Sequence, residues 1–179
     1  MNPGPVGTRR VYAGRVINLD IDTVRFPDGS VGELEMIRHP GASAVIPVLG
    51  EVQESDPQLL LIKQYRYAAG SFLYEIPAGR LEPGESPADC AARELKEETG
   101  CSARDVQFLF TTLTTPGFTD ERIHVFVASG LERGTTSHER DEFMTLETMA
   151  LSEALRRIRT GEIRDGKTAL SVLYLATFR

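Results

Sequence analysis

The chain has only two cysteines and contains no long run of apolar residues. Cys90 and Cys101 fall in a segment with helical spacing, where a rise of about 1.5 Å per residue separates them by about 16 Å, too far for a disulfide. Two thiols at this spacing do not make a zinc site either. No stretch of about 18 apolar residues occurs, and the first ten residues lack the apolar core of a signal peptide. We therefore expect a cytoplasmic protein that does not bind membranes.

Acidic residues outnumber basic residues in the chain. The chain has 20 Lys and Arg residues against 26 Asp and Glu residues, which gives a net charge of −6. This balance argues against a nucleic-acid clamp or a binder of anionic membranes, because both need a positive surface. An acidic protein still binds a polyphosphate if divalent cations lie between the two negative partners.

Turn signals separate short apolar runs and predict both strands and helices. The predicted strands are Val11–Ile17, Ile21–Phe26, Val31–Arg38, Ala44–Leu49, Leu59–Gln64, Phe72–Ile76, Val106–Leu113 and Ile123–Ala128. The predicted helices are Pro87–Thr99, Met149–Arg159 and Thr168–Phe178, the last of which is expected to bury Leu170 and Leu173. Residues 130–142 are polar and predict a mobile loop. This order indicates an α+β protein with helices packed on a mixed sheet.

The helix predicted over Pro87–Thr99 combines good end signals with an unfavourable charge pattern. Ser86 is a suitable N-cap and Gly100 a natural stop. At 100° per residue, the apolar stripe consists of Ala88, Ala92, Leu95 and Thr99, and the neighbouring stripe of Glu94, Glu97 and Glu98. Like charges at this spacing, near the negative end of the helix dipole, destabilise a helix. The stripe is either a solvated acidic face or a set of hard oxygen ligands for Mg²⁺ or Mn²⁺.

Read as one string, Gly79 to Cys101 is GRLEPGESPADCAARELKEETGC. It resembles the Nudix box, whose fixed positions here are Gly79, Glu85, Arg93, Glu94, Leu95, Glu97, Glu98 and Gly100. Cys101 takes a place where aliphatic residues are more usual. The resemblance implies a Nudix fold, a mixed β-sheet sandwiched between helices, and metal-dependent hydrolysis of a nucleoside diphosphate linked to another moiety.

The same resemblance implies a role for each box residue. The implied metal ligands are Glu94 and Glu98, with Glu97 in support and the backbone carbonyl of Ala78 as a further ligand. The implied structural residues are Gly79, Glu85, Arg93 and Gly100, with Glu85 and Arg93 pairing to hold the loop on the helix. Cys90 is expected to be a bystander at the edge of the acidic stripe.

Features outside the box resemble the ADP-ribose pyrophosphatase branch of that family. They are Gln64-Tyr65-Arg66-Tyr67 before Tyr74-Glu75-Ile76-Pro77-Ala78-Gly79, and Pro116 fifteen positions beyond Cys101. The resemblance implies that Arg66 and Glu75 contact the substrate, although a surface arginine and a structural ion pair explain them too. Gly117 is a further candidate, or simply part of a turn, and Arg38 is a candidate to reach the base.

The first strands resemble the N-terminal β-arm of that branch, which crosses to a partner subunit. This implies a dimerisation arm over residues 1–40, a hydrolase domain over residues 41–179, and a homodimer.

In the related enzymes a carboxylate of the late mobile loop deprotonates the attacking water. Alignment favours Glu142 here, with Glu139 as second choice, and a solvated acidic loop as the alternative to both. The expected products from ADP-ribose are AMP and ribose 5-phosphate. Another sugar nucleotide such as GDP-mannose, and a non-catalytic nucleotide sensor, remain alternatives.

Overall fold

The computed structural model describes residues 2–134 and 144–178. The strands are β1 (Gly4–Ala13), β2 (Asn18–Arg25), β3 (Val31–Arg38), β4 (Ala42–Leu49), β5 (Gln58–Arg66), β6 (Ser71–Glu75), β7 (Ala78–Arg80), β8 (Cys101–Leu113), β9 (Arg122–Arg133) and β10 (Met144–Ala150). The helices are α1 (Pro87–Thr99), α2 (Leu151–Thr160) and α3 (Gly166–Phe178), and a 3-10 helix covers Tyr67–Ala69. The contacts divide the chain into two units: the first runs to Gly41 and includes Thr112–Ile123, and the second comprises the rest.

The first unit contains an antiparallel meander in the order β1-β2-β3. The strand predicted over Val11–Ile17 is wrong in its bounds, because β1 ends at Ala13 and the Gly14 N–H donates to the Ile17 carbonyl at 3.0 Å in a turn. β1 instead begins at Gly4, since pairing with β2 satisfies the backbone of a segment that is rich in Gly and Pro. Two shifts in register along this pair absorb the irregular residues, as β-bulges do.

The second unit contains a seven-stranded sheet in the order β10-β5-β4-β9-β8, with β6 paired to β5 and β7 to β4. β4 is buried on both faces. On one face the Ser43 hydroxyl donates to the Pro87 carbonyl at 2.8 Å, and Val45 packs with Ala91 and Leu95 of α1. The alternating residues of β4, such as Ile46, face the other side, and α3 packs on β4 and β6. The prediction of a mixed sheet between helices is therefore confirmed.

The junction between β10 and α2 differs from the predicted helix over Met149–Arg159. Met149 and Ala150 belong to β10, which pairs with β5 along its whole length, from Met144 opposite Gln64 to Ala150 opposite Gln58. α2 begins at Leu151 because a residue distant in sequence caps it: Asp56 accepts from the Ser152 N–H at 2.8 Å and from its hydroxyl at 2.7 Å. The predicted loop also starts later than residue 130, since β9 continues to Arg133.

Helix α3 matches its predicted position, but its predicted buried face is wrong. Leu170 and Leu173 are 43% and 46% exposed. The buried residues are Thr168, Ser171, Val172 and Leu175, which recur at helical spacing. Their small size at the first turns lets α3 lie close to the sheet. In the described part of the chain, no helix is long and apolar enough to cross a bilayer.

Candidate active site

Helix α1 has the ends that its sequence predicts. The Asp89 N–H donates to the Ser86 hydroxyl oxygen at 3.2 Å, and Pro87 occupies the first turn, where a missing N–H costs nothing. At the other end Gly100 adopts a left-handed φ of 71°, and its N–H donates to the Lys96 carbonyl at 2.9 Å. These caps set the register in which the box side chains leave the helix.

The buried face of α1 matches the predicted apolar stripe only in part, since Leu95 and Thr99 are buried as expected. Ala88 and Ala92 are exposed. The buried residues are Cys90, Ala91, Glu94, Leu95, Glu98 and Thr99. The helix packs against β4 and β7, so the side that carries Cys90, Glu94 and Glu98 is covered. Burying carboxylates is costly unless they gain hydrogen-bond partners, and the structure supplies those partners.

The two most buried glutamates of α1 lie against the short strand β7. Glu98 is 4% exposed and accepts a hydrogen bond from the Ala78 N–H at 3.0 Å. Glu94 is 9% exposed, and its carboxylate lies where a side chain on Gly79 would be. A Cβ atom at Gly79 would overlap the Glu94 carboxylate, so the glycine at this box position is explained by close approach rather than by backbone conformation.

Arg93 joins the loop before α1 to the carboxylates on the helix. Its Nε and Nη2 donate to the two oxygens of Glu85 at 2.8 and 3.0 Å, and Nη2 also donates to the Arg80 carbonyl at 3.1 Å. Its Nη1 donates to Glu94 at 2.6 Å and to Glu97 at 3.0 Å. The hydrogen bonds from Arg93 lower the pKa of Glu85 to about 2, so Glu85 remains ionised throughout the neutral range.

Cys90 lies within the buried face of α1 rather than at its edge. It is fully buried, and its Sγ lies 3.6 Å from the Gly79 carbonyl oxygen and 3.5 Å from that of Arg80. Burial, with the nearby charge of Glu85, raises the pKa of the Cys90 thiol to about 11. A protonated, enclosed thiol is a poor nucleophile, so Cys90 fills space beneath the box loop.

A second charged cluster lies at the ends of β5 and β6. Glu75 is 1% exposed, and Arg66 binds both of its oxygens, each at 2.8 Å. Lys167, in the first turn of α3, donates to the same carboxylate and, at 3.0 Å, to Asp165. Burial raises the pKa of Glu75, but the hydrogen bonds from Arg66 and Lys167 outweigh it and hold that pKa below its ordinary value.

Sequence analysis did not identify Lys167 or Asp165. Asp165 caps α3, since its carboxylate accepts from the Thr168 N–H at 3.0 Å and from the Thr168 hydroxyl at 2.6 Å. An Asp three residues before Thr168 is a recognisable N-cap signal. Lys167 had no comparable signal, because its partner Glu75 is 92 positions away in the sequence.

The remaining candidate residues lie elsewhere. In the first unit, Arg38 hydrogen-bonds to Asp22, to Asp20 at 3.2 Å and to Asp120 at 3.2 Å. Gly117, also in that unit, is exposed in the turn after Pro116, with open space where a Cβ would be. Glu139 and Glu142, the candidate bases, lie outside the described residues.

A match to the NUDIX domain family model spans residues 38–169 and includes the whole site around α1. The chain belongs to the Nudix family. It is 40% identical over 172 residues to a methanol dehydrogenase activator of Bacillus methanolicus, covering 95% of this chain and 90% of that one. It is 37% identical over 172 residues to an ADP-ribose pyrophosphatase of Bacillus subtilis, with the same coverage. A solved ADP compounds hydrolase shares the fold, with a TM-score of 0.81, 22% identity and coverage of 98% and 92%.

Nudix hydrolases generally depend on divalent metal ions, so the box residues can be tested for their fit to one. Glu94 and Glu98 present hard carboxylate oxygens from one buried face, the donor type that Mg²⁺ and Mn²⁺ favour. Within residues 2–134 and 144–178, however, no three acidic, His or Cys side chains are arranged to hold a metal. Arg93 Nη1 donates to the carboxylates of both Glu94 and Glu97. The carboxylates of Glu94 and Glu98 fit a divalent cation by donor type, and such a cation would compete with Arg93 for Glu94.

Proposed function

We propose that this Nudix protein hydrolyses the diphosphate of ADP-ribose to AMP and ribose 5-phosphate, with Mg²⁺ held at the box and Mn²⁺ as a substitute. The observation that carries the proposal is the buried pair of Glu94 and Glu98 within a complete box. The likeness to an ADP-ribose pyrophosphatase, which covers 95% of the chain, supports the choice of substrate. A sensor that binds without cutting is disfavoured because all the box glutamates are present.

The proposed roles follow from the chemistry of the donors. Glu94 and Glu98, with Glu97 and the Ala78 carbonyl, would hold the cation, which when bound neutralises diphosphate oxygens and activates water. The Ala78 N–H fixes one oxygen of Glu98. Arg93 and Glu85 hold the loop that carries Gly79, and Gly100 ends the helix.

Arg66 is proposed to bind a phosphate of the substrate. Its planar guanidinium suits anionic oxygens, and its side chain is 43% exposed although its partner Glu75 is buried. Arg38 and Gly117 remain candidates for contacts with the nucleoside.

The general base is proposed to be Glu142, with Glu139 as the alternative. A carboxylate suits proton abstraction from a water that a cation has already acidified. If Glu142→Gln kept the wild-type kcat and bound metal normally, the role would pass to Glu139.

A substrate panel tests the proposed function. With Mg²⁺, we expect kcat/KM for ADP-ribose to exceed by about tenfold or more that for GDP-mannose, UDP-glucose, NADH, diadenosine polyphosphates or a nucleoside triphosphate, a difference of about 1.4 kcal/mol. Preference for GDP-mannose would overturn the substrate while leaving the box chemistry in place. No hydrolysis of any member with either Mg²⁺ or Mn²⁺ would favour a sensor.

The first strands are proposed to form a dimerisation arm over residues 1–40, ahead of a hydrolase domain over residues 41–179. β1 is an edge strand of the first unit, and its exposed apolar residues Val6, Val11 and Tyr12 are 58%, 49% and 59% accessible. An edge strand with exposed apolar side chains is a surface that pairing with a second copy would cover. Sedimentation that showed only a 19.7 kDa species would contradict the dimer.

A further inference from the structure

Lys167 is an almost buried cation with a specific connection to the proposed phosphate-binding arginine. Its side chain is 13% exposed, and its Nζ contacts Glu75 and Asp165. The contact to Glu75 is made at Oε2, the oxygen that also accepts from Arg66 Nη2. The two cations therefore share one carboxylate oxygen that is closed to water.

This shared contact affects the net charge of the side chains that surround Arg66. A buried carboxylate with one bidentate arginine forms a pair of zero net charge, which attracts an anion weakly. Lys167 adds a second positive charge on the inner side of Glu75. Asp165 also pairs with Lys167 and accepts from the Thr168 N–H and hydroxyl at the positive end of α3, so the four side chains carry two positive and two negative charges. Without Lys167, Arg66 would lie beside two carboxylates with one excess negative charge. Arg66, at 43% exposure, is the member of the group that solvent reaches most.

Arg66 also retains the hydrogen-bonding capacity to contact a ligand. Its bonds to Glu75 use one N–H of Nε and one of Nη2. A guanidinium has five N–H bonds, so three are not used by Glu75. The hydrogen bonds that Arg66 donates to Glu75 raise the pKa of Arg66, and the charge of Glu98 acts in the same direction. Arg66 therefore interacts electrostatically with Glu98, one of the carboxylates proposed to hold the cation on the diphosphate.

We propose that Lys167 is a positioning residue for substrate binding: it shares the buried carboxylate of Glu75, so that Glu75 holds Arg66 in place without an excess of negative charge around the arginine. Lys167 does not touch the substrate in this arrangement and acts only through Glu75. The inference rests on the proposed function in one respect, the binding of a diphosphate by Arg66.

The experiment measures the Kd of α,β-methylene ADP-ribose, a diphosphate analogue that cannot be hydrolysed at the α,β bridge, by calorimetry, together with KM and kcat. Lys167→Met keeps an unbranched side chain of similar length and removes the charge. We expect Kd and KM to rise about tenfold, the size of a lost charge-assisted interaction, while kcat stays within about threefold. Lys167→Arg restores the charge and should bind within about threefold of wild type.

A second comparison separates this role from a merely structural one. In the Glu75→Gln background the carboxylate is gone, so adding Lys167→Met should change Kd less than about twofold. This comparison stands even if Lys167→Met alone does not fold, because the double variant leaves no unpaired carboxylate buried at position 75. A tenfold loss in that background would mean that Lys167 contacts the ligand directly, and would overturn the inference, as would unchanged binding by folded Lys167→Met.

The two proposals fail in different ways. The substrate panel tests the proposed function by measuring turnover of the wild-type protein alone. If it selects another nucleoside diphosphate sugar, the same variants are measured with that compound, since the argument for Lys167 depends only on the diphosphate. If wild-type protein turns over ADP-ribose but all the variants bind the analogue equally well, the Lys167 inference falls and the proposed function stands.

Discussion

Replacing Glu98 by glutamine is expected to lower kcat by at least about 10³-fold, because a lost metal ligand removes several kcal/mol of charge stabilisation and each 1.36 kcal/mol is a factor of ten in rate. The fold should survive the change. The amide oxygen of glutamine can still accept from the Ala78 N–H, which lies 3.0 Å from the carboxylate. The measurements are steady-state kinetics with Mg²⁺ and a titration with Mn²⁺ followed by electron paramagnetic resonance.

The matched control is Glu132→Gln, on an exposed part of β9, which removes the same charge from the protein as a whole. It should leave kcat unchanged, so that any loss in Glu98→Gln is assigned to position and not to net charge. A Glu98→Gln protein with the thermal stability and the kcat of wild type would remove Glu98 from the proposed metal site.

Replacing Gly79 by alanine is expected to displace the carboxylate of Glu94, because the added methyl group would occupy the same space. The Mg²⁺ concentration for half-maximal activity should rise about 10- to 100-fold, the usual effect of disturbing the residues that orient a metal ligand. The backbone at Gly79 is not in the left-handed region, so strain does not account for the loss. Activity measured against Mg²⁺ concentration provides the test.

Gly7→Ala is the matched control for this prediction. It adds the same methyl group in another strand, where no heavy atom lies within 4 Å of the new carbon, and should leave the Mg²⁺ dependence unchanged. An unchanged Mg²⁺ dependence in Gly79→Ala would show that Glu94 can move aside at no cost, and that its observed position does not matter for metal binding.

The sequence predicted the ends of helices better than their faces. The caps of α1 depend on residues within one turn, such as Ser86 and Gly100, and they are correct. The face of a helix depends on what packs against it, so the stripe chosen by hydrophobicity was half right for α1 and wrong for α3. In α1 Glu94 and Glu98 are on the buried side, because Arg93 and the Ala78 N–H satisfy them. The sequence alone does not predict these hydrogen bonds, because they depend on the folded arrangement of α1 and β7.

Long-range contacts account for the other errors. The start of α2 is set by Asp56, which precedes Ser152 by 96 positions. The box residues could be predicted because their spacing is fixed within 23 positions and resembles a known family. The cluster around Glu75 could be predicted only in part, since Arg66 and Glu75 lie nine positions apart while Lys167 is brought in by α3.

The hydrogen bonds of Arg93 have a consequence for how tightly this protein would hold a metal. The guanidinium acts as an internal counter-ion for Glu94 and Glu97, so binding of a divalent cation at these carboxylates would be an exchange of one cation for another. The measured affinity for the metal would then reflect the difference between the interaction of the carboxylates with the metal and their interaction with Arg93. Glu94 and Glu97 would keep a positive partner when metal is scarce. The site would also release its metal readily, because a replacement cation is attached to the same helix.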